Sequence, residues 1–196
     1  MSSDTTRDRI VSEADRLFYE HGYEHTSFAD IAEAVGISRG NFYYHFKSKD
    51  EILDAVVGVR LANTRQMLDS WEAQSDEPAG RIRSFISIVV SNQAKIMRHG
   101  CPVGTLCTEL AKLTHPAQAQ ANELFTLFRV WLRRQFVLLG HKADADALAM
   151  HVLAFSQGVA VLAHAFQDKR FVQREVERMC AWLDGIAVEA AQAASG

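Results

Sequence analysis

Residues 26–51 of this chain, TSFADIAEAVGISRGNFYYHFKSKDE, constrain its fold more than any other segment. Phe28, Ile31, Ala32 and Val35 recur at i, i+3, i+4 and i+7, one apolar stripe at helical period. Ser27 with Asp30 three residues on fits a capping box, which satisfies the orphan amides of a helix start from both sides. Gly36 follows the last apolar position and supplies the positive φ that ends a helix and opens a turn. Ile37 puts one apolar side chain into that turn. Ser38 then caps a second helix over 39–46, and Ser48 with Glu51 caps a third. Two short amphipathic helices around a glycine turn make a helix-turn-helix.

The second of these helices carries groups suited to DNA. Arg39 sits in the first turn, where a guanidinium can fork onto guanine or hold a phosphate. Gly40 has no side chain to keep the backbone away from a duplex. Asn41, Tyr43, Tyr44 and His45 offer amide, hydroxyl and imidazole groups for phosphate oxygens or base edges. Lys47 and Lys49 flank the start of the next helix, itself an anion site. Between Gly36 and Lys49 the sequence has three basic residues, Arg39, Lys47 and Lys49, and no acidic one, whereas the segment before it has more Asp and Glu than Arg. Thr26, Ser27 and Ser38 complete the set of candidate DNA contacts. Phe42 and Phe46, four apart, are expected to point inward.

The run IAEAVGISRGNFYYHFKSKDEIL resembles the DNA-binding domain of TetR-type transcriptional regulators, a helix-turn-helix repressor family. A preceding helix with Ile10, Ala14, Leu17 and Phe18 on one face, closed by Gly22, is similar to that family's first helix. The resemblance covers roughly residues 5–65. It implies an all-α fold of about nine helices. Residues 1–50 would form the helix-turn-helix domain, and 51–196 a helical domain for effector binding and dimerisation. It also implies a homodimer through the last two helices and a double-stranded DNA operator.

Composition agrees. Apolar positions recur at helical spacing and the apolar fraction is 48%, enough for a sizeable core. A net charge of −3 means that any DNA binding comes from a local patch. No apolar signal region opens the sequence, and three cysteines without framework spacing fit a reducing cytoplasm. Helices are expected over 50–71, 81–98, 105–113, 116–139, 143–169 and 171–191. Residues 147–167 lack Asp, Glu, Lys and Arg, a run long enough to cross a bilayer. They include His151, Ser156, Gln157 and His164, and their near flanks are acidic, so a helix buried between a core and a partner subunit is expected instead. Ala147, Ala154, Gly158, Val161 and Ala165 could form a small-residue seam there.

The resemblance also implies an effector pocket among the middle helices. Met97, Leu106, Leu110, Phe125, Phe128, Trp131, His151 and Phe155 offer an apolar and aromatic lining, and Cys101 and Cys107 lie among them. Cys101 sits between Gly100 and Pro102, beside Arg98 and His99 and just ahead of a helix, a setting that favours a thiolate. The Gly-Cys pair resembles a branch of the family that senses electrophiles or oxidants; the alternative is a small thiol that packs like alanine. A metal-responsive site built on Cys101, Cys107 and nearby histidines is a further alternative. No phosphate-cradling glycine loop, HExxH or structural zinc spacing is present, and Glu109 has no nucleophile beside it, so an enzyme, a cofactor and a resident metal are not expected.

Overall fold

The computed structural model describes residues 5–195. Among them are ten helices and no strand: α1 (Thr6–His21), α2 (Phe28–Val35), α3 (Arg39–His45), α4 (Lys49–Gln74), α5 (Pro78–Ser91), α6 (Gln93–His99), α7 (Pro102–Lys112), α8 (Gln118–Leu139), α9 (Ala145–Phe166) and α10 (Lys169–Ser195). The span expected as one helix over 81–98 is divided at Asn92, and the irregular stretch expected over 99–104 shrinks to Gly100 and Cys101. Pro102 opens α7 because a first-turn proline gives up only an amide that has no helical partner. The chain forms two compact units, Met1–Asn63 with Pro102–Leu124 and Thr64–Cys101 with Phe125–Gly196.

In the first unit, α1 starts at a full capping box between Thr5 and Asp8, and α2 at another between Ser27 and Asp30. Gly36 closes α2 in the left-handed conformation, φ 73°, with Ile37 donating its N–H back to Ala32 O at 3.1 Å. Ser38 caps α3 through the Asn41 amide at 3.3 Å, and Ser48 accepts the Glu51 amide at 3.1 Å at the head of α4. Ile10, Ala14, Leu17 and Phe18 of α1 are buried, as are Ile31, Ala32 and Val35 of α2, Phe42 and Phe46, and Ile52, Leu53, Val56 and Val57 of α4. This core fixes α2 on α1 and α3 on α2. α7 also packs on α1 and adds Leu106 and Leu110.

In the second unit, α5 lies on α10 and α9, and α9 also lies on α6 and α10. Phe85 meets Phe128 edge to face at 5.2 Å. Glu72 Oε1 accepts from Trp131 Nε1 at 2.6 Å and is paired with Arg134, which ties α4 to α8. α9 is long and apolar enough to cross a membrane by length and composition alone. One face of it, including Ala149, Val152, Val159 and Ala163, is buried in this unit, and the other, with Ala147, Ala154, Gly158, Val161 and Ala165, is exposed.

Candidate nucleic-acid interface

α3 is amphipathic on a one-turn scale. Phe42 and Phe46 are each 1% exposed, and Phe28 of α2 meets Phe42 edge to face at 5.1 Å. The opposite side presents Arg39, Gly40, Asn41, Tyr43 and Tyr44 to solvent, Tyr44 at 80% and Tyr43 at 49%. The difference between the tyrosines has a cause: the Tyr43 ring also rests on Phe28 at 5.6 Å. His45 is half-buried, with its ring against Tyr44 at 5.2 Å. Ser27 and Ser38 are exposed, with their hydroxyls engaged in capping α2 and α3. A Cβ added at Gly40 would meet nothing within 4 Å, so the small side chain answers no packing need within the protein.

Two expected contacts have other employment. Thr26 is 2% exposed, and its hydroxyl donates to Gly22 O at 2.7 Å, closing the turn after α1. Its side chain is buried in that turn. The Lys49 ammonium donates to Tyr23 O at 2.9 Å and lies 4.2 Å from the centre of the Tyr23 ring. A carbonyl and a ring face together hold the cation inward, so Lys49 serves as a tether. Lys47 stays exposed at the end of α3, with its ammonium on Tyr43 O. Sequence reasoning missed Arg7, whose guanidinium lies 4.7 Å over the Phe46 ring. The two segments are too distant in sequence for any spacing rule to join them.

The residues expected to line an effector pocket fall in both units. Leu106, Cys107 and Leu110 are buried in the core of the first unit, where the Cys107 thiol donates to Ala121 O at 3.5 Å. The others belong to the second unit. Met97, Phe128 and Trp131 are buried in its core, and Phe125 and Phe155 are half-buried. His151 is exposed on α9, and its ring meets that of Trp182 of α10 at 4.8 Å with a 56° tilt. Cys101 is half-buried, with the Gln157 amide nitrogen 3.6 Å from its sulfur. Among the described residues no three His, Cys, Asp or Glu converge as metal ligands would, so the metal-responsive alternative lacks a ligand cluster. An open cleft of about 550 Å³ lies elsewhere in the second unit. Met67 and Trp71 of α4 and Ser84, Ser87, Ile88 and Ser91 of α5 are among its lining residues. The helical spacing of those serines was the available sequence signal.

Comparison with known proteins agrees with this geometry. Residues 10–56 match the profile of bacterial regulatory proteins of the tetR family, and residues 78–178 match that of the LmrA/YxaF-like transcriptional regulator C-terminal domain. The chain is 29% identical over 190 residues to the HTH-type transcriptional regulator TtgR of Pseudomonas putida, covering 91% of this chain and 88% of that protein. It is 32% identical over 129 residues to the HTH-type transcriptional regulator LmrA of Bacillus subtilis, covering 64% and 68% respectively. The fold is similar to that of a TetR transcriptional regulator from Legionella pneumophila, with a TM-score of 0.80 at 24% identity over 95% of this chain and 99% of that one.

Proposed function

Since the chain belongs to the TetR family of bacterial regulatory proteins, with an LmrA/YxaF-like C-terminal domain, we propose that it acts as a cytoplasmic repressor that grips a near-palindromic operator as a homodimer and is released by a small apolar effector. DNA-binding transcriptional regulation, not enzymatic chemistry, is the work of this family. The observation that carries the operator reading is the outer face of α3. Arg39, Gly40, Asn41 and Tyr44 are exposed there over a buried Phe42, in a stretch without acidic side chains. Repression is favoured by similarity to the HTH-type transcriptional repressor DhaR of a Mycobacterium species, 25% identical over 87% of this chain.

Two-fold pairing is supported by the outer face of α9 and α10. Val161, Phe166 and Val188 are 64%, 73% and 56% exposed, a cost in water that a second copy would remove. The α4–α5 cleft, lined by Met67, Trp71 and three serines among others, is the favoured effector site. Selection of duplexes from a random-sequence pool tests the whole reading. The expected product is an inverted repeat whose half-sites lie about one helical turn apart; enrichment of no sequence would sink it. The second reading is a thiol switch at Cys101, favoured by the Gln157 amide against its sulfur, which oxidation or alkylation would displace.

A further inference from the structure

Glu109 is the acidic residue of α7 for which the sequence offered no task. Its carboxylate is half-buried, with Oε2 accepting the Tyr23 amide at 2.9 Å and Oε1 the Glu24 amide at 2.9 Å. Those amides lie in the turn between α1 and the Ser27 cap of α2. At the same turn, Gly22 has φ 90°, and a Cβ there would stand 3.0 Å from Glu109 Oε1. Glycine therefore suits both the backbone angle and the approach of the carboxylate. Hydrogen bonds from two amides to one ionised carboxylate are charge-assisted and fix direction as well as distance.

The rest of α7 is anchored to the same helices. At its first residue, Pro102 O accepts from Arg60 at 2.7 Å, and Arg60 Nε donates to Asp15 of α1 at 2.5 Å. Beyond its last turn, His115 stands 3.5 Å from Asp50, and its ring meets Tyr23 at 5.0 Å. The Tyr23 hydroxyl donates to the same Asp50 at 2.5 Å. Both ends of α7 are thus braced against α1 and α4, and Glu109 reaches from α7 to the backbone that leads into α2.

We propose that Glu109 is a positioning residue for operator binding: it fixes the 22–24 turn, and with it the seating of α2 and α3 on α1. The proposal rests on the operator reading of α3. Glu109→Gln keeps the shape but leaves only one acceptor oxygen for two amides, and its NH₂ would face the other donor. Glu109→Ala removes both acceptors.

The test uses the full chain, with the duplex that wild type enriches from a random pool and an unrelated duplex of equal length. In both variants we expect at least tenfold faster hydrogen exchange at the Tyr23 and Glu24 amides, while the core of the second unit keeps its protection. Affinity for the selected duplex should fall about tenfold, with affinity for the unrelated one unchanged, because phosphate contacts carry the latter. Either variant retaining wild-type discrimination between duplexes would overturn the proposal. So would loss of a cooperative melt in both, which would make Glu109 a folding residue. A wild type that discriminates between no duplexes would sink the operator reading itself, and the exchange measurement would still report whether Glu109 holds the turn.

Discussion

Arg39 and Lys49 carry the same charge, yet their surroundings give them different work. Arg39 is exposed on the outer face of α3, so Arg39→Ala should cost about 1–3 kcal/mol of operator affinity and, where it reads a base, relax specificity at that position. Competition binding against single-base variants of the operator measures both. Lys49 is held by the Tyr23 carbonyl and ring. Lys49→Met should lower the melting temperature and leave the slope of log affinity against log salt unchanged. Lys47→Ala should do the reverse, flattening that slope by about one unit for one lost phosphate contact. Tyr44, 80% exposed, can be replaced by Ala without a change in melting. Thr26→Val should cost about 1 kcal/mol of stability, since its hydroxyl closes a buried turn.

The elements of the reading head are short and depend on their ends. α2 has eight residues and α3 seven, too few to hold helical form without caps and packing. The Ser27 amide and hydroxyl hold the Asp30 carboxyl below its ordinary value of 3.8, and those of Thr5 do the same for Asp8. Asp50 is lowered first by the Tyr23 hydroxyl and further by His115. A carboxyl whose folded value is depressed binds fewer protons in the folded state. Its stabilisation is therefore complete above the unfolded value and is lost as pH falls through the lower folded one. The melting temperature should decline as pH drops below about 4, and Asp30→Asn should start lower and decline less. Gly40 poses the opposite case. Its surroundings are empty, so Gly40→Ala should melt no lower than wild type, with a helix-propensity gain of up to about 1 kcal/mol. If the α3 backbone closes on the duplex, the same methyl should weaken operator binding; equal affinity in an anisotropy titration would show that it does not.

For the whole molecule, the proposed two-fold pairing rests on the exposed apolar side chains of α9 and α10. One helix-turn-helix reads few base pairs, and a two-fold axis doubles the contact set. Sedimentation should give a dimer at micromolar concentration, and Val161→Glu combined with Phe166→Glu should give a folded monomer with sharply reduced operator affinity. A monomeric wild type would reject the pairing. Release from the operator separates two switches. An effector must bind the non-DNA state more tightly, and a tenfold preference per site corresponds to about 1.4 kcal/mol. Cys101→Ser should bind the operator yet ignore electrophiles if the thiol is the switch. If the variant and wild type are released alike by every thiol reagent, the sulfur is packing and the cleft becomes the favoured route.

Local rules were enough for the reading head. The apolar stripe of α2, the Ser27 and Ser38 caps, the left-handed Gly36 and the inward Phe42 and Phe46 each follow from residues within a few positions of one another. Helical period and capping chemistry act over that range, so the sequence by itself determined them, together with the long apolar face of α9. Tertiary structure decided what depends on contacts between distant segments. It turned Lys49 and Thr26 into turn holders, set Arg7 over Phe46, placed Glu109 on the amides of Tyr23 and Glu24, and put Leu106, Cys107 and Leu110 in a different compact unit from Trp131 and His151. A pocket or a brace is a meeting of side chains from several helices. Periodicity fixes which face of a helix is apolar, but the packing of all the helices together fixes which face meets which.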